Sequence, residues 1–168
     1  PGTYSYRYTV QGSASCGPAQ ATLSITVNAA PNAGLHGTLS LCSTSGVTPL
    51  FPYLGGTPQS GGTWTFGGPH NSSFNPNTDV SGDYTYTVNG VAPCPSASAT
   101  VTVTLHPAPN AGSNAVLTIC GNDLTPVVLG EVLSGAHDAN GTWTLGGNPV
   151  SEIYLPGNYG PGIHTFTY

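Results

Sequence analysis

An all-β chain of tandem immunoglobulin-like antiparallel sandwich modules, each about eighty residues long, is predicted by three observations. Apolar residues alternate with Thr and Ser at a period of two. Gly and Pro clusters interrupt the chain every eight to twelve residues, and whole phrases recur once per module. Alternation in β-branched and aromatic residues is the mark of antiparallel strands with one buried face and one wet face.

The recurrence sets the domain plan. "PGTYSYRYTV" at the start is echoed by "SGDYTYTVNG" and then by "PGIHTFTY", placing Tyr4, Tyr84 and His164 at equal intervals. Cys16 is matched by Cys94 and Cys42 by Cys120, and the triplet "NAG" at Asn32 returns at Asn110. "GGTWTFGG" around Trp64 returns as "NGTWTLGG" around Trp143, at nearly the same spacing. A period this long describes domains, not the shorter turns of a solenoid. Residues 1–28 are therefore expected to be the last two strands, F and G, of an upstream module. Residues 29–107 form one complete module, and residues 108–168 form another that lacks its final strand.

Within the complete module, "GTLSLC" is expected as strand B. "LFPYLGG" (Leu50 to Gly56) and its counterpart "VLGEVLSG" (Val128 to Gly135) break the alternation and predict a short helical turn or an irregular crossover. "GTWTF" is expected as strand C carrying Trp64, "DYTYTV" as F, and "SASATVTVTL" as G. In G, Ala99, Val101, Val103 and Leu105 share one face, as Leu23, Ile25 and Val27 do in the upstream "ATLSITV". The phrase Gly82-x-Tyr84-x-Tyr86 resembles the tyrosine corner of immunoglobulin domains. Those domains carry a Cys two residues after that Tyr, where this chain has Tyr86, so no B–F core disulfide is expected. Trp64, Trp143, Tyr84 and Tyr86 are expected in the core, because large aromatics recurring in mid-strand are usually buried.

Charge narrows the function. Only 4% of residues are charged, the net charge is −5 and Arg7 is the single cation, against roughly 25% charged residues in ordinary domains. That composition excludes the electrostatic footprint of a nucleic-acid or anionic-lipid binder. No apolar run approaches the ~20 residues that span a bilayer, and no basic-then-apolar leader is present, so an export signal is expected outside this chain. A surface of Thr, Ser and Asn suits work outside the cell.

The four cysteines allow two schemes: Cys16–Cys42 with Cys94–Cys120, or Cys42–Cys94 with the outer two left over. If "GTLSLC" is strand B of a sandwich, Cys42 and the F–G turn carrying Cys94 lie at one end of a module. The expectation is a Cys42–Cys94 disulfide, with Cys16 and Cys120 paired outside the chain. Closing that loop is worth about 4 kcal/mol in the chain-entropy account and implies an oxidising compartment.

Catalytic and metal chemistry find little support. No His recurs at equivalent positions: His36 aligns with Asn114, His106 with Asn28 and His164 with Tyr84. Asp79 and Asp83 flank the turn into strand F where calcium is conceivable, but the following module has Asn158 and Gly162 there. No nucleophile elbow is present, and the absence of Lys forbids lysine–asparagine crosslinks. "NSS" at Asn71 and "NGT" at Asn140 match the glycosylation pattern only at the level of chance. No catalytic residue, metal ligand or cofactor is expected.

"PGTYSYRYTV", "CPSASATVTVTLHPAPNAG", "LTIC" and "GGTWTFGG" together resemble the tandem immunoglobulin/PKD-like repeats of very long Bacteroidota surface proteins, including gliding adhesins and surface filaments. The resemblance covers nearly the whole chain. It implies an outer-surface or secreted location and mechanical or adhesive service; with the expected disulfide staple and the Pro-rich joints "NAAPNAG" and "HPAPNAG", the chain is expected to act as a semi-rigid stalk. The partners it implies are neighbouring repeats or identical chains in a fibre, and surface glycans. Identical chains could complete one another by exchange of a G strand such as Ala21–Val27. The rival expectation is a carbohydrate-binding or spacer module of a secreted enzyme, with the tyrosines of "YSYRY" as its aromatic row.

Overall fold

The computed structural model describes residues 1–168. The chain is mostly β, arranged as several small sheets, and it divides into two compact units, Pro1–Pro107 and Ala108–Tyr168. No helix is long and apolar enough to cross a membrane.

The first unit opens with a hairpin. Strand β1 (Gly2–Val10) pairs antiparallel with β2 (Ala19–Val27) along its whole length, from Gly2 opposite Val27 to Val10 opposite Ala19. These two strands form a sheet of their own.

The remainder of this unit builds a core between two sheets. Strands β3 (Gly37–Cys42), β5 (Thr63–Thr65), β6 (Pro69–His70), β8 (Gly82–Val88) and β9 (Ala97–His106) form one sheet, in the order β3-β9-β8-β5-β6. A short pair, β4 (Thr48–Pro49) with β7 (Ser73–Phe74), forms the other. The period-two pattern directs Leu39, Trp64, Tyr84, Tyr86, Ala99, Val101 and Val103 inward, where Leu50, Leu54 and Phe74 meet them. The Thr residues of β9 lie on the opposite face. Between β4 and β5 the alternation breaks, and Phe51–Tyr53 make one 3-10 turn containing Pro52. That turn tucks Leu50 and Leu54 under the sheet, where both are buried.

Strand β3 departs from the expected plan. "GTLSLC" is not strand B: it lies parallel to β9, from Gly37 opposite Val101 to Cys42 opposite His106. Parallel pairing places Cys42 at the C-terminal end of β9, whereas Cys94 precedes its N-terminal end. The 10 residues of β9 span roughly 30 Å at ~3.3 Å each, far beyond the ~7 Å that a disulfide tolerates between Cα atoms. The expected Cys42–Cys94 bond is therefore corrected: no disulfide joins any two of Cys16, Cys42, Cys94 and Cys120 within the chain. Cys42 Sγ instead lies 3.2 Å from the Thr44 hydroxyl, a contact that lowers its pKa. Cys94 Sγ donates to the Asn28 carbonyl at 3.8 Å.

In the second unit, β10 (Val127–Val128) pairs with β13 (Ile153–Tyr154), and β11 (Trp143–Leu145) sits between β12 (Asn148–Val150) and β14 (Phe166–Thr167). The one-turn helix α1 (Leu129–Val132) occupies the place of the 3-10 turn and buries Leu129. Residues 115–120, "AVLTIC", form no strand.

The thiol arrangement is open to a direct check. Peptide mapping under non-reducing conditions is expected to find no 42–94 linkage, and reductant should leave the unfolding midpoint of the monomer unchanged. A midpoint that falls with reductant in the wild type but not in Cys42→Ser would overturn the parallel β3–β9 arrangement.

Candidate functional site

The aromatic core of residues 29–107 is tied to the backbone by two tyrosine hydroxyls. Tyr86 O–H donates to the Gln59 carbonyl at 2.7 Å and accepts from the Gly62 N–H at 2.8 Å. Gly62 has to be glycine, because a Cβ there would fall 2.5 Å from the Tyr86 ring. Tyr84 O–H donates to the Val80 carbonyl at 2.8 Å, four residues back, the local tie expected of a tyrosine corner. Around the Tyr84 ring, Phe66 stacks at 4.4 Å and Phe74 meets it edge-on at 5.5 Å.

Asn32 closes the same end. Its side chain donates to the Thr57 carbonyl and accepts from the Gly34 N–H, both at 2.9 Å. Its backbone N–H donates to Gln59 Oε1 at 2.8 Å, and its carbonyl accepts from the Gln59 N–H at 2.9 Å. The recurring "NAG" triplet was visible in the sequence, but this role was not. The available signal was an Asn two residues before a Gly, the composition of an Asx turn.

The second unit repeats the Asn32 and Tyr86 bonds residue for residue, but not the Tyr84 tie, whose counterpart Phe166 has no hydroxyl. Asn110 donates to the Ala136 carbonyl, accepts from the Gly112 N–H, and exchanges backbone and side-chain bonds with Asp138. Tyr168 O–H donates to the Asp138 carbonyl and accepts from the Gly141 N–H. Trp143 lies 4.9 Å from Tyr168 at 39°, as Trp64 lies 5.1 Å from Tyr86 at 43°. Thr144 faces Thr167 as Thr65 faces Thr85. The counterparts of Tyr84 and Tyr86 are thus Phe166 and Tyr168; His164, aligned with Tyr84 by phrase matching, is instead displaced by two residues of extra turn. His164 contacts the Gly160 carbonyl and the Tyr159 ring. Trp64, Trp143, Tyr84 and Tyr86 are all buried.

The hairpin pairs in the same register: Tyr6 faces Leu23 as Tyr84 faces Val101, and Tyr8 faces Ala21 as Tyr86 faces Ala99. Its apolar face has no cover, however. Tyr4, Tyr6 and Tyr8 are 51%, 59% and 70% exposed, and Leu23, Ile25 and Val27 are exposed beside them. On the opposite face, hydroxyl pairs Thr3–Thr26 and Ser5–Ser24 stand 3.2 and 3.1 Å apart.

The second unit has a matching deficiency. Leu117, counterpart of the buried Leu39, is 50% exposed, and Val116 is 94% exposed. The Trp143 Nε1–H is buried without a hydrogen-bond partner. A cavity of about 560 Å³ lies alongside, lined by His137, Trp143, Val150, Glu152 and Tyr168 among others.

No family model, curated protein or solved structure matches this chain.

The acidic candidates are engaged separately. Asp79 Oδ2 accepts from the Asn75 N–H at 2.7 Å and lies 3.4 Å from His70 Nε2. Burial pushes the Asp79 carboxyl up, but the Asn75 amide, His70 and the Thr78 hydroxyl outweigh it and hold the group below its ordinary value. Asp83 Oδ1 accepts from the Thr102 hydroxyl at 2.7 Å. No three His, Cys, Asp or Glu side chains gather as a metal site.

Two outcomes follow. Tyr86→Phe, which leaves the Gly62 N–H and the Gln59 carbonyl without their shared partner, is expected to cost about 1–3 kcal/mol in denaturant unfolding. A carboxylate with a depressed native pKa contributes stability above its unfolded pKa and loses it as pH falls through the native value. The melting temperature of the wild type should accordingly drop through the acidic range below about pH 4, and Asp79→Asn should flatten that drop. Parallel curves for the two proteins would show that the Asn75–Asp79–His70 contacts contribute nothing.

Proposed function

We propose that the chain is a structural or adhesive segment of an extracellular bacterial surface fibre, built from tandem immunoglobulin-like modules of the kind its sequence resembles. The observation that carries this reading is the recurrence of one bonding plan. The Asn32 and Asn110 turns, the Tyr86 and Tyr168 hydroxyl ties and the paired Trp–Tyr contacts appear once in each unit, at matching places in the chain. The sheet order β3-β9-β8-β5-β6 with a separate β4–β7 pair supports an immunoglobulin-like sandwich.

A chain that repeats one self-contained core serves through length and surface. Stiffness in this reading comes from Pro31 and Pro109 just ahead of each Asn turn, because proline fixes φ and restricts joints. Disulfide stapling within a module forms no part of it.

The exposed tyrosines of β1 favour a second reading, a glycan-binding row on a secreted protein. Their register counterparts Tyr84 and Tyr86 are core residues, and the inward Trp64 supplies no platform, so the row fits an uncovered core better.

Antibodies against the chain are expected to label intact, unpermeabilised cells, along filaments visible by electron microscopy. Labelling that requires permeabilisation would overturn the fibre reading. On a polysaccharide array, binding that Tyr6→Ala and Tyr8→Ala abolish would favour the second reading instead.

A further inference from the structure

The two units differ in the crossover that closes each core. The Leu50 N–H donates to the Ser72 carbonyl at 2.9 Å, and the Leu129 N–H donates to the Glu152 carbonyl at 2.9 Å. The Leu54 N–H closes the 3-10 turn on the Phe51 carbonyl, and the Leu133 N–H closes α1 on the Gly130 carbonyl. Gly130 therefore stands where Phe51 stands, and Glu152 where Ser72 stands. His137 precedes Asp138 as Pro58 precedes Gln59, and Asp138 and Gln59 donate the same bond, to Asn110 and to Asn32.

Phe51 is partly buried and meets the Tyr86 ring edge-on at 5.5 Å. Gly130 has no ring to place there, and two polar side chains reach in instead. A Cβ on Gly130 would lie 2.8 Å from Glu152 Oε1 and 3.5 Å from His137 Nε2. The His137 ring meets Tyr168 edge-on at 5.7 Å. One apolar ring is thus exchanged for an imidazole and a carboxylate. No hydrogen bond or ion pair with protein engages the Glu152 carboxylate or the His137 ring nitrogens.

Both residues line the cavity of about 560 Å³ beside Trp143, a volume within the ~300–1,000 Å³ of small-ligand clefts. Trp143, Tyr168 and Val150 supply apolar wall. The lining selects a ligand class. An anion would meet the Glu152 carboxylate in a chain whose single cation is Arg7. A cation would pair with Glu152 and leave the imidazole N–H unmatched, and donors without partners weaken binding. A neutral ring bearing hydroxyls satisfies both groups. Its hydroxyls donate to Glu152 and accept from His137, while its C–H face lies on the apolar wall.

We propose that this cavity of the second unit binds one neutral sugar residue, held by Glu152 and His137. The site goes beyond the fibre reading and does not rest on it, because it follows from the exchange of Phe51 for Gly130 between two otherwise matching crossovers.

The test uses the full 168-residue chain, whose two Trp residues give two indole N–H signals by NMR, assigned with Trp64→Phe. The probes are glucose, galactose, mannose and N-acetylglucosamine, with ethanolammonium and acetate as the cationic and anionic comparisons. At least one sugar is expected to shift the Trp143 signal and leave that of Trp64 in place, with a Kd of about 1 mM or tighter. Glu152→Ala and His137→Ala should each weaken binding by about tenfold. Both side chains are exposed, so neither change should move the melting temperature.

Gly130→Phe puts back the ring of the first unit, and only the mobile ends of Glu152 and His137 stand in its way. It should abolish sugar binding without lowering the melting temperature. Absence of a Trp143 shift with all four sugars, or a shift with ethanolammonium or acetate alone, overturns the proposal. So does sugar binding that survives Gly130→Phe, or that Tyr6→Ala removes and Glu152→Ala leaves intact. Surface labelling of cells by a chain that binds no sugar removes this site alone and leaves the fibre reading standing.

Discussion

The parallel contact between β3 and β9 anchors the sheet on which the core of residues 29–107 is built. Strand β9 has apolar residues on one face only, and a hairpin of β8 with β9 cannot bury that face by itself. Strand β3 along its outer edge, and β5 along the outer edge of β8, turn the hairpin into a sheet that β4, β7 and the Phe51–Tyr53 turn can close. Where the contact is made, Leu39, Val101 and Val103 are buried. Where it is not, their counterparts Leu117, Leu23 and Ile25 stand in solvent. Burial follows the covering elements together, with β3 along the edge and Leu50, Leu54 and Phe74 over the face.

The direction of that pairing also decides the fate of the thiols. An antiparallel neighbour would have returned Cys42 to the F–G turn; a parallel one carries it to the opposite end. The sequence contains no sign of this. Alternation reports which face of a strand is buried and is blind to which way the strand runs, so "GTLSLC" reads equally well in either orientation. The strands themselves were legible, as was the broken alternation at Leu50 to Gly56, since both follow from local pattern. The chain reversal between them depends on where β9 lies, which is a non-local fact.

Register was partly legible for a similar reason. The shared phrase Gly-x-Tyr-x-Tyr matches Tyr4 to Tyr84, yet the strand partners match Tyr6 to Tyr84, two positions closer. A shift of two preserves the face of every side chain, so the wrong offset still assigns the correct residues to the core. Two residues of extra turn hid Phe166 and Tyr168 behind His164 in the same way. Spacing between phrases measures loops as well as strands, and only the hydrogen-bonded partners separate the two.

The tyrosines of β1 show how a side chain's meaning comes from its neighbours. Taken alone, three exposed Tyr rings in a row describe a sugar platform, where each ring presents an apolar face and a polar edge. Leu23, Ile25 and Val27 share their face, and aliphatic residues beside stacked sugars offer no hydroxyl partners. The opposite face carries the facing hydroxyls of Thr3 with Thr26 and Ser5 with Ser24, as a solvent face does. In the fully covered copy the tyrosine hydroxyls turn to backbone, Tyr84 to Val80 and Tyr86 to Gln59 and Gly62. Tyrosine rather than phenylalanine at these positions is therefore explained by a buried O–H with a fixed partner. The hairpin has the rings in place and lacks only the backbone that would receive them.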